Sequence, residues 1–302
     1  MPAVSVVIPT YNGAKYVGEA VDSVLAQSFH DIEVLVIDDG STDETESVIS
    51  RFGPAARYIR QENGGVSVAR NRGIQESTGR YVAFLDADDT WLPEKLDRQM
   101  AALTGSKTCR VCYSAFTVCN ETLEPLAIQR SLRKGSTLED LLLRGNVVGS
   151  ICSVLCERSL FAATGGFDRT LSQCADWDMW LRLAIVTEFL YLDEPLVTYR
   201  QHRSNMSRDA QLLERDSHRV LQRGFGLEGL PSHMRAGRRA AFGRNYMVLA
   251  GTYFYAGRYW DFLRCAARSV MLDPRQLGYL GGFPGRALGR FRFGGRPVGQ
   301  WR

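Results

Sequence analysis

The sequence predicts an α/β fold with a mixed central sheet, followed by an α-helical extension. Three observations lead to this prediction. Strand and helix patterns alternate over the first hundred residues, continue in a looser order to about residue 207, and give way to helical spacing as far as residue 273. The early strands are apolar throughout, which is typical of a parallel sheet covered on both faces.

The individual elements follow from the spacing of apolar residues. Apolar runs with the length of a buried strand predict strands, and apolar residues at helical spacing predict helices. In chain order this gives strands at 4–9, 32–38, 57–60 and 81–85, with helices at 17–25, 43–52 and 66–76. Beyond Trp91, helices are predicted at 95–103, 138–143, 158–163 and 176–184, and strands at 110–118, 150–156, 188–192 and 196–201.

The chain of 302 residues is expected to have three parts. Residues 1–207 form the α/β domain, residues 208–274 form the helical extension with one tetratricopeptide-like unit, and residues 275–302 form a basic aromatic tail. A composition of 45% hydrophobic and 23% charged residues excludes a wholly disordered protein. No apolar run reaches the ~20 residues that a spanning helix needs.

The cysteines and the charge predict where the protein acts. Seven scattered cysteines favour reduced, buried thiols in a cytoplasmic protein, and the start of the chain has no signal-peptide pattern. Residues 275–302 carry six Arg and no acidic residue. This predicts peripheral contact with an anionic membrane at its inner face, and a solvated tail is the alternative. Nucleic acid is not expected as a partner.

Three strand ends carry the residues with the strongest chemical character, and they lie at 9–12, 38–43 and 86–89. Ligands of open α/β sheets bind at the carboxyl ends of the strands, so we expect these segments to meet at one edge. The first offers an aromatic residue and an Asn, the second a carboxylate-rich turn, and the third a pair of carboxylates. Such a set suits a base, a ribose and a metal-held diphosphate.

Asp86 and Asp88 are separated by one residue directly after an apolar strand. Two carboxylates in this position are suited to a hard divalent cation, here Mg²⁺ or Mn²⁺. Such a cation neutralises a nucleotide diphosphate and stabilises it as a leaving group. A solvated acidic turn that caps the next helix is the alternative, and the other two polar strand ends disfavour it.

Seven motifs, in this order, resemble those of the family-2 glycosyltransferases of GT-A fold. They are SVVIPTYN at 5–12, VLVIDDGSTD at 34–43, ARNRG at 69–73, FLDADD at 84–89, GGFD at 165–168, DWDMWLR at 176–182 and YRQH at 199–202. The resemblance covers about residues 3–207. It implies a GT-A fold with a Rossmann-like nucleotide-binding half, a nucleotide-sugar donor and inverting transfer.

The resemblance also implies a role for each matched position. The donor-binding residues are Pro9, Thr10, Tyr11, Asn12, Asp39, Arg70 and Asp86. Among them, Tyr11 is expected to stack on the base and Asp39 to bind the base edge, as for uracil. Arg70 would reach the base or the diphosphate, and Asp86 the ribose or a metal-bound water. Asp88 is the expected metal ligand, and His202 is either a metal or phosphate ligand or a loop residue that only packs.

Asp176 matches the Asp of the family's acidic dyad, usually Glu-Asp, whose Asp is the general base. Ala175 stands where the Glu is usual, a departure that bears on the acceptor more than on the reaction type. Asp178 is a competing candidate for the base. Trp177 and Trp180 are either sugar platforms or core residues.

These features predict a metal-dependent inverting glycosyltransferase of hexosyltransferase type. The expected donor is a UDP-sugar, and the expected acceptor is a hydroxyl of a glycan or a lipid-linked glycan in cell-surface polysaccharide biosynthesis. A sugar-nucleotidyltransferase is one alternative, but the segment TYNGAK at 10–15 is a poor match to its Gly-rich, basic triphosphate loop. An inactive glycan-binding scaffold is the other, because a fold alone does not prove activity.

Overall fold

The computed structural model of the protein describes residues 1–131, 137–202, 205 and 209–282. The chain divides into two compact units. The first comprises Met1–Thr137 and Val148–His202, and the second comprises Leu138–Val147 and Arg203–Arg302. Residues 283–302, which make up most of the predicted tail, lie outside the described residues, and the division of the chain into three functional parts stays a prediction.

The described strands are β1 (Val4–Thr10), β2 (Ile32–Asp38), β3 (Arg57–Arg60), β4 (Tyr81–Phe84), β5 (Thr90–Trp91), β6 (Cys109–Cys119), β7 (Pro125–Gln129), β8 (Val154–Glu157) and β9 (Glu188–Arg200). The described α-helices are α1 (Val17–Leu25), α2 (Thr45–Ser50), α3 (Val66–Glu76), α4 (Lys95–Thr104), α5 (Thr137–Arg144), α6 (Ser159–Thr164), α7 (Ala175–Ala184), α8 (Ala210–Phe225), α9 (Ser232–Ala236), α10 (Arg238–Tyr255), α11 (Tyr259–Leu272) and α12 (Gln276–Gly281).

The strands form one mixed sheet, as predicted, in the order β3-β2-β1-β4-β8-β6-β9-β5, with β7 paired to β6. Strands β3, β2, β1 and β4 are parallel, and β8 then joins β4 and β6 in antiparallel pairing. β1 is buried along its whole length, which explains its continuous apolar sequence. The parallel half therefore places the ends of β1, β2 and β4 side by side.

Two strand predictions need correction. The separate strands expected at 188–192 and 196–201 are one strand, β9, because register shifts on both sides of the Ala115–Pro195 pair let it continue along β6. The strand expected at 150–156 begins instead with a 3₁₀ turn, Ile151–Ser153, and only then enters β8. The Ser150 side chain accepts a hydrogen bond from Cys152 N–H at 3.2 Å and so caps this turn.

Two of the sequence motifs are explained by close packing. A Cβ on Gly73 would lie 2.2 Å from Val7 Cγ1, so only glycine lets α3 approach β1. The Asn71 side-chain amide bonds both backbone groups of Phe167, accepting from its N–H at 2.7 Å and donating to its carbonyl at 2.8 Å. A Cβ on Gly166 would meet Asn71 Oδ1 at 2.2 Å. These contacts fix the segment after α6 against α3.

The second unit is helical, as predicted for this part of the chain. Its buried cluster joins side chains of α8, α10 and α11, including Leu249, Tyr253 and Cys265. The Glu214 carboxylate supports this cluster by accepting from Tyr253 Oη at 2.6 Å and from both terminal nitrogens of Arg264 at 2.7 Å. Within the described residues, no helix has the length and the apolar character needed to cross a bilayer. The tetratricopeptide resemblance stays a prediction.

Lys95 is a fully buried cation at the start of α4. Its Nζ donates to Gln99 Oε1 at 2.7 Å and lies 3.9 Å from the centroid of the Trp91 ring. Gln99 in turn donates to the carbonyls of Ser153 at 2.7 Å and Cys112 at 3.3 Å. Burial lowers the pKa of Lys95 to about 7. Burial of Lys95 in the core therefore favours its neutral amine over the charged ammonium.

We expect Lys95→Met to stabilise the protein at pH 7 by about 1–4 kcal/mol, because Met fills a similar volume without a buried charge. The folded pKa of about 7 lies below the ordinary value of 10.5, so the unfolded chain holds more protons between these pH values. The free energy of unfolding of the natural protein therefore rises with pH across this window. Urea unfolding at pH 7 and at pH 10 measures both effects.

Lys107→Met is the matched control, since Lys107 is exposed. It should change the free energy of unfolding equally at both pH values. A Lys95→Met protein whose stability tracks that of the natural protein across the window would contradict the assignment.

Candidate functional site

The strand ends of β1 and β2 are locked together by hydrogen bonds. Thr10 and Asp38 are register partners, and Asp39 N–H donates to the Thr10 carbonyl at 2.8 Å. Asn12, which has a positive φ of 49°, accepts from Thr42 N–H at 2.8 Å through its Oδ1. Asn12 thus holds the turn after β1 against the turn after β2, which is a structural contact in addition to any donor contact.

The turn after β4 lies beside these two. Leu85 N–H donates to the Val7 carbonyl at 3.0 Å, and a Cβ on Gly13 would lie 3.6 Å from Ala87 Cβ. The same Cβ would come within 2.3 Å of Thr10 Oγ1. The convergence expected from the sequence is therefore present, and the turn after β1 leaves no room for a side chain at position 13.

The three residues expected to line a base differ in their exposure. Tyr11 is 54% exposed, so its ring is accessible for stacking. Thr10 is buried, and its Oγ1 has no hydrogen-bond partner among the described residues. Pro9 is buried within β1. The Tyr11 ring is accessible to a ligand, whereas Thr10 and Pro9 are buried and contribute through the shape of the strand end.

Both carboxylate oxygens of Asp39 accept hydrogen bonds from the loop before α3. Oδ1 accepts from Gln61 Nε2 at 2.7 Å and from Gly64 N–H at 3.0 Å, and Oδ2 accepts from Gly65 N–H at 2.7 Å. Each carboxylate oxygen can accept two hydrogen bonds, so within the described residues one position remains on Oδ2. Asp39 is thus fixed in orientation with that position left for a donor such as a base N–H.

Arg70 is a buried cation beside two of the predicted site residues. Its Nη2 donates to Asp86 Oδ1 at 2.7 Å, and its side chain is only 8% exposed. Burial disfavours the guanidinium charge, but the carboxylates of Asp86 and Asp176 outweigh it and raise the pKa of Arg70. Its Nε is buried and has no hydrogen-bond partner within the described part of the chain. The site therefore contains a permanent positive charge with one donor to spare.

Asp88 and His202 are in direct contact, with Asp88 Oδ2 and His202 Nε2 2.8 Å apart. Two ligands at about 2.1 Å from a metal on adjacent octahedral corners lie about 3.0 Å apart, so this spacing fits a shared cation. It fits a hydrogen bond equally well. The structure thus brings His202 to the predicted metal ligand Asp88, and its role as a ligand stays a prediction.

Asp86, Asp89 and Cys152 also bring their ligand atoms within 4.8 Å of one another. The Cys152 thiol, however, accepts from Asp86 N–H at 3.2 Å and donates to Asp89 Oδ2 at 3.1 Å. Burial and the neighbouring acids raise the pKa of Cys152 well above its usual range. A thiol committed in this way is a poor ligand for a hard cation, so Asp88 with His202 fits Mg²⁺ or Mn²⁺ better.

Sequence reasoning did not identify Arg200 as a residue that shapes this site. Its N–H donates to Asp89 Oδ1 and its Nε to the Asp88 carbonyl, both at 2.9 Å. Its Nη1 donates to the Glu121 carbonyl at 2.9 Å, and its Nη2 contacts the Glu19 carboxylate. Arg200 is 3% exposed. It therefore fixes the turn that carries Asp88. The sequence feature that could have identified Arg200 is its position in the motif YRQH, two residues before His202.

The Tyr16 ring contacts both Arg200 and His202. The Arg200 guanidinium carbon lies 4.6 Å from the centroid of the Tyr16 ring. The centroid of the His202 ring lies 5.1 Å from the same Tyr16 centroid. The Tyr16 hydroxyl donates to Glu121 Oε1 at 2.8 Å. The position of His202 is thus set by packing as well as by Asp88.

The helix α7 begins at Ala175 and carries the two candidate bases in its first turn. Asp176 is partly exposed, and its charge acts on buried Arg70. Asp178 is buried and forms an ion pair with Arg182, whose Nε lies 2.9 Å from Asp178 Oδ2. Arg182 also donates to the Thr164 carbonyl at 2.7 Å. Asp178 is therefore engaged in holding α6 and α7 together.

Trp177 and Trp180 are core residues and not sugar platforms. Trp180 is completely buried and its ring packs edge-on against Phe189 at 6.3 Å, while Trp177 is 4% exposed. The alternative of a stacking surface for a sugar is thus excluded for both.

The sequence comparisons identify the family. Residues 5–163, more than half of the chain, match Glycosyl transferase family 2. An uncharacterized glycosyltransferase of Rickettsia prowazekii is 33% identical over 230 residues, which are 74% of this chain and 71% of the relative. The putative teichuronic acid biosynthesis glycosyltransferase TuaG of Bacillus subtilis is 30% identical over 214 residues, 68% of this chain and 82% of the relative. The chain belongs to glycosyl transferase family 2.

Solved structures confirm the GT-A fold class. S. aureus TarS 1–349 in complex with UDP-GlcNAc has a TM-score of 0.59 at 19% identity, covering 91% of this chain and 92% of that chain. The mannosyltransferase PcManGT from Pyrobaculum calidifontis, in complex with GDP-Man and Mn²⁺, has a TM-score of 0.60 at 18% identity, covering 95% and 81%. Family membership favours a glycosyltransferase over a sugar-nucleotidyltransferase.

We expect Arg200→Lys to weaken the binding of a nucleoside diphosphate in the presence of Mn²⁺ by about tenfold or more, because Lys cannot reproduce a forked set of bonds. The loss should appear in calorimetry with Mn²⁺ and be much smaller in EDTA. That difference separates displacement of the Asp88 turn from a general loss of stability.

Arg130→Lys is the control, since the Arg130 side chain is 45% exposed and pairs with Asp193 on the surface. It should bind like the natural protein. Equal affinity of Arg200→Lys and the natural protein with Mn²⁺, in a folded variant, would show that Arg200 does not set the site.

Proposed function

We propose that this protein is an inverting glycosyltransferase of hexosyltransferase type that uses a nucleoside-diphosphate sugar, UDP-linked, as donor. The observation that carries the proposal is the grouping of Asp88 and His202 in direct contact, with Arg70 paired to the neighbouring Asp86. A carboxylate and an imidazole that can hold a cation, together with a buried guanidinium, are groups that suit a diphosphate leaving group.

The donor would lie along the edge formed by the ends of β1, β2 and β4. Tyr11 would stack on the base, and the free acceptor position of Asp39 would take a base N–H. Asp86 would face the ribose, and the Arg70 guanidinium would stabilise the diphosphate through its positive charge. Support comes from the exposure of Tyr11 and from the UDP-GlcNAc and GDP-Man bound by the two structural neighbours.

Asp88 and His202 would hold the divalent cation, Mg²⁺ or Mn²⁺. The bound cation supplies Lewis-acid stabilisation of the charge that develops on the departing diphosphate. Arg200 keeps the Asp88 backbone in place, and Arg70 adds a second, fixed positive charge. The Mn²⁺ of PcManGT and the carboxylate–imidazole spacing of 2.8 Å support this part of the proposal.

Asp176 would act as the general base that takes the proton from the acceptor hydroxyl. In a single displacement the hydroxyl attacks the anomeric carbon and loses its proton as the bond forms, so a carboxylate is a sufficient base. Asp176 is partly exposed, whereas Asp178 is buried in its pair with Arg182. The greater exposure of Asp176 favours it as the base.

The acceptor would be a glycan or a lipid-linked glycan in cell-surface polysaccharide biosynthesis. TuaG, by its name, acts in teichuronic acid biosynthesis, and a hyaluronan synthase of Pasteurella multocida is 28% identical over 226 residues. The proposal includes a cytoplasmic position with contact to the inner face of the membrane through 275–302. The α/β part, 1–207, would catalyse the transfer, and the helical part, 208–274, would support the tail.

We expect Asp88→Ala to abolish the Mn²⁺-dependent part of UDP affinity while leaving the melting temperature within a few degrees, because the carboxylate is partly exposed. Calorimetry with Mn²⁺ and with EDTA measures the metal-dependent part. Asp22→Ala, which removes an exposed acid of α1, is the control and should bind like the natural protein. Unchanged Mn²⁺-dependent affinity in folded Asp88→Ala would remove Asp88 as the ligand.

We expect Asp176→Asn to lower turnover by about 10²–10⁴-fold, the usual contribution of a positioned base, with donor affinity nearly unchanged. Asp178→Asn should lower the melting temperature more than turnover, because it weakens the pair with Arg182 that joins α6 and α7. A donor screen by nucleotide release, followed by kinetics on the best donor, measures both. The assignment fails if Asp178→Asn gives the larger kinetic loss in a folded protein.

A further inference from the structure

Helix α11 presents an apolar face to solvent. Trp260 is 86% exposed, Met271 74%, Tyr259 61% and Leu263 53%. These four residues, which we call the α11 face, recur at helical spacing on one side of the helix, and the opposite side packs Cys265 into the buried cluster of the second unit. The exposed side of α11 is therefore an apolar surface and not the polar face of an ordinary surface helix.

Single exposed apolar residues are common, but a contiguous set on one helix face marks an interaction surface. On the next helix, α12, Leu277 is also 61% exposed. A tryptophan and a tyrosine on an apolar helix face are typical of a helix that lies at a membrane–water interface. The residue types of the α11 face therefore favour a lipid surface as the partner.

The sequence that begins at α11 is rich in positive charge. From Arg258 to the end of the chain the sequence contains nine Arg and two Asp, a net charge of +7. Asp261 is paired with Arg258 at 2.6 Å and with Arg264 at 3.2 Å, and Asp273 is paired with Arg275 at 2.8 Å. The two acids are thus neutralised locally, and the net positive charge of this part of the sequence complements an anionic surface.

We propose that the α11 face docks on the interfacial region of an anionic lipid bilayer, with Trp260, Leu263 and Met271 inserted among the lipids. This inference rests on the peripheral membrane contact of the proposed function. It adds an apolar contact, made by the α11 face, to the contact proposed for residues 275–302. A second copy of the chain is the other candidate occupant. A symmetric contact between copies would bring two segments of net charge +7 together, and their repulsion disfavours it.

The first test is co-sedimentation of the full chain with vesicles of phosphatidylcholine, with and without phosphatidylglycerol. We expect binding to the anionic vesicles only, and a loss of about tenfold or more in partition coefficient for the double variant Trp260→Gln, Leu263→Gln. The control is Leu126→Gln, Ile128→Gln, which changes two residues of β7 that are 48% and 49% exposed. It should bind like the natural protein.

The second test reports insertion directly. Phospholipids with brominated acyl chains should quench the tryptophan fluorescence of the natural protein more than that of Trp260→Phe, which keeps the apolar surface and should still bind. A chain ending at Gly282 separates the tail from the α11 face, and it should retain insertion of Trp260 at a lower overall affinity.

Each contrary result has a distinct meaning. If the full chain ignores anionic vesicles, both the membrane contact and the α11 inference fail. If it binds but the double variant binds equally, the tail alone makes the contact and the inference is wrong. If light scattering without vesicles shows a dimer that the double variant abolishes, while vesicle binding is unchanged, the occupant is a second copy and the inference is again wrong.

Discussion

The buried carboxyl of Asp89 is the constraint on which the candidate site depends. A carboxyl group without hydrogen-bond partners is costly in a protein interior, and burial, together with Asp88 and Asp86, raises the pKa of Asp89 well above its usual range. Its partners are Arg200 N–H, 111 residues away, and the Cys152 thiol, 63 residues away. The turn after β4 can close only when the end of β9 and the turn before β8 are in place. The orientation of Asp88, and through it the contact with His202, follows from that closure.

The parallel half of the sheet and the meeting of its strand ends could be predicted because both depend on local patterns. Continuous apolar strands indicate burial on both faces, and the carboxyl-end rule then places 9–12, 38–43 and 86–89 together. Arg200 was missed because its function depends on contacts made only in the folded chain, with the turn after β4 and with Glu19. The continuity of β9 was missed for a related reason, since register shifts against β6 on both sides of Pro195 let the strand continue, and a sequence does not show its pairing partner.

Several motif residues prove to be structural, and this changes how the motifs are understood. Asn71 bonds the backbone of Phe167 from both sides, Gly73 permits the contact of α3 with β1, and Asn12 joins two turns. None of these side chains needs to touch a donor to be required. Arg70 differs, since it is paired with Asp86 and its charge interacts with that of Asp176. Within the motif ARNRG at 69–73, Arg70 therefore contributes to the candidate site, whereas Asn71 and Gly73 contribute to the packing around it.

The absence of the usual Glu beside Asp176 is consistent with the environment of position 175. Ala175 is completely buried at the start of α7, next to Trp177 and Met179 in the core. A longer acidic side chain there would have to reach past this packing or be buried without a partner, at a cost of several kcal/mol. In the proposed reaction Asp176 therefore acts without a carboxylate neighbour at 175, and the charge that balances it is the guanidinium of Arg70. The carboxylates of Asp86 and Asp176 raise the pKa of Arg70, so its guanidinium keeps a fixed positive charge beside the proposed base.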